Sequence, residues 1–149
     1  MLLEFKTKNY KSFVEEASFS MVAAPKQKGL DYSLMKTKIK GKEIKGLSSS
    51  VIYGPNAAGK TNIIGAMDVL RAIVLRGNIR NSEEKSSPNP AAATLELIPN
   101  NSEMESKPVC FEIEFYEEDG ENHKFKIHYE LEVDLGTFLE EEYQRKILA

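Results

Sequence analysis

The sequence predicts an α/β fold in which one strand–loop–helix unit joins mixed and antiparallel β-sheet. Three observations predict it. Val51-Ile52-Tyr53 runs into a glycine-bracketed loop, Gly54–Thr61, and then into an apolar run at helical spacing. Leu3, Phe5 and Thr7 alternate with Glu4, Lys6 and Lys8, which is a strand period. Residues 109–115 and 125–133 alternate in the same way around Glu118-Asp119-Gly120-Glu121, a hairpin signal.

The elements follow in order. The opening strand ends in a turn at Asn9–Tyr10, and Ala17–Val22 reads as its partner strand. Residues 25–46 are rich in lysine. Lys36, Lys38, Lys40 and Lys42 alternate with other residues, as in an exposed edge ribbon turning near Gly41. Val51–Tyr53 is expected as a short buried strand ended by Gly54. A helix follows Lys60. Ile63, Ile64, Met67, Leu70, Ile73 and Val74 recur at helical spacing, and Ala66, Val69 and Leu75 make it apolar nearly all round. It is therefore expected to be sandwiched, with Gly77-Asn78 ending it. Residues 78–108 read as loop, most open near Asn81–Pro90, broken by a strand around Thr94–Ile98. The chain is thus expected to be one unit over 1–149: a nucleotide-binding part (1–77), a connector (78–108) and an antiparallel lobe (109–149).

The hairpin register can be reasoned out. Both apolar sets sit at odd positions, so cross-strand partners must sum to an even number for the faces to agree. A three-residue loop, 119–121, meets this and pairs 118 with 122. Phe115 then faces Phe125, Ile113 faces Ile127, Glu114 faces Lys126 and Glu112 faces His128.

Composition bounds the function. At 149 residues, 41% hydrophobic and 29% charged, the chain is long enough for one domain with a sizeable core. No apolar run approaches the roughly 18 residues of a membrane span. The start is not a secretory signal, because Glu4 interrupts its apolar stretch. A single cysteine, Cys110, excludes an internal disulfide and a cysteine-rich metal site, so the reducing cytoplasm is expected. Net charge is −3 but uneven. Residues 1–80 carry 14 Lys/Arg against 6 Asp/Glu, a net +8, and residues 81–149 carry 6 against 17, a net −11. This suits a basic face for nucleotide or nucleic acid beside an acidic lobe, and equally two solvated surfaces of opposite sign.

Gly54-Pro55-Asn56-Ala57-Ala58-Gly59-Lys60-Thr61 matches the phosphate-binding loop G-x-x-x-x-G-K-[ST] in full. Such a loop wraps a phosphate with backbone N–H groups, so side chains must be small where the backbone approaches it. Gly54 and Gly59 meet that demand, and Ala57 and Ala58 intrude little. Lys60 supplies a cation for the β- and γ-phosphates, and Thr61 a hydroxyl for Mg²⁺. The helix adds the positive end of its dipole. Chance would give this spacing in on the order of one per cent of chains this long.

Other residues carry less. His123 and His128 lack an acid or cysteine cluster at ligand spacing and read as surface residues. Cys110 reads as an inert thiol on the less apolar face of its strand. Glu140–Glu142 read as a solvated helix start or end. A loop of this type needs a second apolar strand ending in an acid that supports Mg²⁺. The nearest candidate, Glu130-Leu-Glu-Val-Asp134, is already the amphipathic hairpin strand, so no catalytic residue is assigned.

Together these residues resemble the N-terminal part of ABC-type ATPases of the RecF, structural-maintenance-of-chromosomes (SMC) and overcoming-lysogenization-defect (OLD) group, closest to bacterial AAA-like, abortive-infection-type ATP-binding proteins. Phe5-Lys-Thr-Lys-Asn-Tyr-Lys-Ser-Phe13 is similar to that group's opening strand and turn. Ile52-Tyr-Gly-Pro-Asn-Ala-Ala-Gly-Lys-Thr-Asn62 is similar to its loop, including Asn56 and Asn62, and Tyr129–Val133 with Glu140–Tyr143 to its β-lobe. The resemblance implies ATP and Mg²⁺ as cofactors, Lys11 and Ser12 beside the nucleotide, a homodimer for the complete protein, and work in DNA repair or phage defence with nucleic acid as a partner still to be tested. It also implies that hydrolysis draws on residues this chain lacks, as in an N-terminal piece of a longer ATPase. Two other readings stand beside it: a stand-alone nucleotide-binding interaction module, and the ATPase subunit of a transporter.

Overall fold

Alternation at the start of the chain builds the centre of the molecule. In the computed structural model, β1 (Leu2–Lys8) buries Leu3, Phe5 and Thr7 and turns Glu4, Lys6 and Lys8 outward. The structure describes residues 1–25, 29, 31–39, 41–79, 95–100, 107–134 and 146–148. β1 pairs with β2 (Ala17–Ser20) on one side and β5 (Val109–Glu118) on the other. β5 pairs with β6 (Lys124–Asp134), and β6 with β7 (Lys146–Leu148), giving the order β2-β1-β5-β6-β7. β3 (Leu34–Ile39) and β4 (Lys42–Leu47) form a separate ribbon that turns at Gly41. The chain is thus α/β with antiparallel sheets, and every strand pair among the described residues is antiparallel.

Helix α1 (Lys60–Arg76) lies on the inner sheet face. Ile63, Ala66, Val69, Leu70 and Ile73 pack against Phe5, Phe111, Leu131, Val109 and Val133. Each large side chain removed from water here contributes about 1.5–3 kcal/mol. Tyr10 joins them, its ring 5.9 Å from that of Phe111. Gly77 ends the helix in the left-handed conformation, donating its N–H to Ile73 O at 2.8 Å.

Four expectations are corrected. Val51–Tyr53 is not a buried strand: Val51 and Tyr53 are 82% and 89% exposed, and the segment joins no ladder among the described residues. A strand needs a neighbour to bond its backbone, and none lies alongside among the described residues. Among the described residues the helix is covered on one side, and Ile64, Val74 and Leu75 are exposed. Residues 95–98 form no strand: the segment is tied to the turn after β1 by one β-bridge, Tyr10 with Pro99, and by the Lys11 N–H to Ile98 O bond at 2.8 Å, with Leu95 in the core; Thr94 lies outside the described residues.

The hairpin register is the fourth. Glu118 pairs with Lys124, Phe115 with Ile127, Ile113 with Tyr129, Glu114 with His128 and Glu112 with Glu130. The even-sum rule holds, but the loop has five residues, 119–123. Asp119 causes the extension. Its Oδ1 accepts the N–H groups of Glu121 (2.9 Å) and His123 (2.8 Å), and Asn122 takes a φ of 63°. The expected open loop at 81–90 and the reading of Glu140–Glu142 both fall outside the described residues.

Candidate functional site

The glycine-bracketed loop runs along the surface into the N-terminus of α1. Ala57 (φ 65°) and Gly59 (φ 81°) are both left-handed, and Ala58 N–H bonds Pro55 O at 3.3 Å. Residues in this conformation turn successive N–H groups toward one concavity. Gly59 is the N-cap and no side chain caps the helix, so its first N–H groups are left for an anion. Lys60 folds back over the loop, donating from Nζ to the carbonyls of Gly54 (2.8 Å) and Pro55 (2.6 Å). Gly54, Pro55, Asn56, Ala57, Ala58 and Thr61 are all exposed. Small residues, an uncapped helix end and one cation are a donor set that fits a nucleotide phosphate, and the exposed Thr61 hydroxyl fits a hard divalent ion.

Gly59 is needed for a second reason. A Cβ there would sit 3.0 Å from Cε1 of Phe13 and 3.3 Å from Ser12 Oγ. The turn after β1 is therefore pressed against the loop. It is a tight one: Tyr10 and Phe13 exchange backbone hydrogen bonds (3.0 and 2.8 Å), and Asn9 and Lys11 both take positive φ. Asn62 Nδ2 donates to Ser12 Oγ at 2.7 Å, tying the turn to the helix's first turn.

The structure thus brings Ser12 to the loop. Lys11 points elsewhere, about one and a half helical turns further along α1. Its Nζ bonds Glu96 Oε2 at 2.5 Å, lies 5.5 Å from the Tyr10 ring centroid, and is 4.0 Å from the position of a Cβ on Gly65. The Glu96 hydrogen bond pushes the Lys11 ammonium pKa up and holds the Glu96 carboxyl down. Glu96 and Asn100 carry no signal in the sequence, and Asn9 reads there only as the start of a turn. Asn100 Nδ2 bonds Lys11 O at 2.5 Å, and Asn9 Nδ2 bonds Lys107 O at 2.8 Å. Such long-range contacts leave no periodic trace, although Asn at a left-handed turn position is itself a local signal.

A second polar cluster lies on the outer sheet face. Contrary to the sequence reading, His128 has acids around it: Nε2 is 2.7 Å from Glu130, and Nδ1 is 3.2 Å from Glu114 and 3.9 Å from Glu112. Ligand atoms of Glu112, His128 and Glu130 lie within 4.8 Å of one another. Cross-strand register assembles them, which linear spacing cannot show. The carboxylates are answered internally, Glu112 by Lys6 at 3.0 Å and Glu114 by Lys126 at 2.7 Å. His123 hydrogen-bonds Asp119 in the turn at 3.1 Å. Cys110 is half-buried, and burial pushes its thiol pKa up, away from reactivity.

A family described as "AAA domain, putative AbiEii toxin, Type IV TA system" matches residues 49–146, more than half of the chain. The chain belongs to this AAA-domain family. The match opens just ahead of the glycine loop and takes in α1, β5 and β6. An AAA-like family is one of nucleotide-binding ATPases, which agrees with the chemistry of the loop. No curated protein matches the chain, and no solved structure does. Among the described residues, no helix is long and apolar enough to cross a membrane.

Proposed function

We propose that the chain binds Mg-ATP through Gly54–Thr61, as the N-terminal lobe of an ABC-type ATPase head of the RecF, SMC and OLD group working in DNA repair or phage defence in the cytoplasm. The observation that carries the reading is the uncapped N-terminus of α1 behind a loop of two left-handed residues, with the Lys60 ammonium bonded across its mouth. In this reading the backbone N–H groups of the loop cradle the phosphates, and Lys60 exchanges its two carbonyl partners for phosphate oxygens. Thr61 supplies a hydroxyl to Mg²⁺, which when bound offsets phosphate charge. Ser12 and Asn62 hold the loop's flank, and no residue here is assigned as the catalytic base.

The exposed Val51, Tyr53, Ile64, Val74 and Leu75 favour a lobe that packs against further protein, as in a head that forms homodimers, over a stand-alone module. The test is titration calorimetry of ATP with Mg²⁺. Lys60→Ala is expected to abolish binding, and Thr61→Val to remove its Mg²⁺ dependence. Unchanged affinity in Lys60→Ala would overturn the reading.

A further inference from the structure

We propose that the outward face of the β3–β4 ribbon binds single-stranded nucleic acid, with Lys36, Lys38 and Lys45 on the phosphates and Tyr32 stacking on an unpaired base. The register sorts the ribbon into two faces. Thr37 pairs with Ile44 and Met35, itself exposed, with Gly46 on one face, while the half-buried Leu34 and Leu47 pair on the other. Thr37 and Ile44 are half-buried, and Gly46 is buried so closely under Met1 that a Cβ would meet its Sδ at 2.9 Å. On the other face Lys36 pairs with Lys45 and Lys38 with Glu43, and all four are exposed.

That face is built against its own stability. Like charges directly opposite on a sheet destabilise it, and Lys36 and Lys45 are such a pair. Asp31 answers Lys36 at 2.7 Å and Glu43 answers Lys45 at 3.5 Å, while Lys38 has no ion-pair partner among the described residues. Residues 34–47 contain five lysines against one glutamate. A polyanion relieves the strain that these acids relieve only in part.

Tyr32 supplies the second half of the argument. It sits in the single turn of 3₁₀ helix, Asp31–Ser33, that leads into β3, and is 86% exposed. The Asp31–Lys36 ion pair holds this turn beside the lysine face. An exposed aromatic ring beside a basic track is what a strand with unpaired bases recognises, since every base has a face to stack. A duplex has no such free faces along its length.

The inference is independent of nucleotide binding, and its test is run without nucleotide. Fluorescence anisotropy of a labelled oligothymidine of about 20 nucleotides is followed with the full chain from about 20 to 200 mM KCl. Three phosphate contacts give a slope of log affinity on log salt of about −2. Replacing Lys36, Lys38 and Lys45 together by Gln is expected to lower affinity about ten-fold or more at 50 mM salt. Tyr32→Ala is expected to lower it about five-fold or more with the slope unchanged. Lys45→Gln alone should weaken binding while leaving the melting temperature unchanged or higher, which separates loss of the site from loss of the fold. Absence of salt-dependent binding overturns the proposal, as does a triple variant that binds like the parent. Equal affinity for a duplex of the same length, indifferent to Tyr32, overturns the assignment to a single strand.

Discussion

Asn62 Nδ2 donates to Ser12 Oγ at 2.7 Å across fifty positions of sequence, and this bond joins the turn after β1 to the first turn of α1. It fixes the flank of the glycine loop where Phe13 already touches Gly59. Both partners are small polar groups, so removing either costs one net hydrogen bond. Ser12→Ala and Asn62→Ala are each expected to lower stability by about 0.5–1.5 kcal/mol. The double variant should lose less than the sum, a coupling of about 0.5 kcal/mol or more. Urea midpoints of the four proteins check this, and strict additivity would remove the bond from the account.

Gly65 lies inside α1, where glycine costs about 1 kcal/mol relative to alanine. The reason it is there is Tyr10. A Cβ on Gly65 would sit 3.3 Å from the Tyr10 hydroxyl, and Tyr10 is fully buried and cannot withdraw. That hydroxyl makes no hydrogen bond among the described residues, and burial pushes its pKa up. Gly65→Ala alone is expected to destabilise by about 1 kcal/mol through overpacking. In a Tyr10→Phe background the same change should instead stabilise by about 1 kcal/mol, since the obstructing oxygen is gone. Thermal denaturation showing the same sign in both backgrounds would contradict this packing.

Gly59 faces two constraints at once, a φ of 81° and the Phe13 edge at 3.0 Å. Gly59→Ala is expected to lose about 1–3 kcal/mol. Gly59→Ala with Phe13→Leu should recover only the contact part of that loss, because the backbone strain remains. Full recovery, read from melting temperatures, would show that the contact alone demands glycine.

What was legible in the sequence follows from the range of each signal. The helix stop at Gly77, the inward set Leu3, Phe5 and Thr7, and the ribbon turn near Gly41 are set within a few residues, and they read correctly. Val51–Tyr53 read as a strand because its residues suit one, but a ladder needs a partner that local composition does not reveal. The apolar girdle of α1 shows how much surface wants cover, not that among the described residues it is the Ile63–Ile73 side that finds it. Parity set the hairpin faces, while the Asp119 side chain, bonding two loop N–H groups, moved the register by two. Glu96 and Asn100 clamp Lys11 from 85 and 89 positions away, beyond any periodic pattern.

His128 gives the chain a pH dependence with a definite sign. The hydrogen bond that the ring donates to Glu130 raises its pKa above the ordinary imidazole value near 6.5, with Glu114 and the charge of Glu112 adding to it. Lys6 and Lys126 face the same cluster from β1 and β6 and stay charged throughout this range. The folded chain therefore binds more protons than the unfolded chain between the two pKa values. Stability from this group is fully present below the unfolded pKa and is lost as pH rises through the folded one. Deprotonation also uncovers the repulsion of Glu112 and Glu130, which sit directly opposite each other. Denaturant midpoints should fall as pH rises from about 6 to 8, and His128→Gln should flatten that fall. A ring titration by NMR should place the His128 pKa above 6.5; a midpoint below that value, or a parent curve as flat as the variant's, would rule the cluster out as the source.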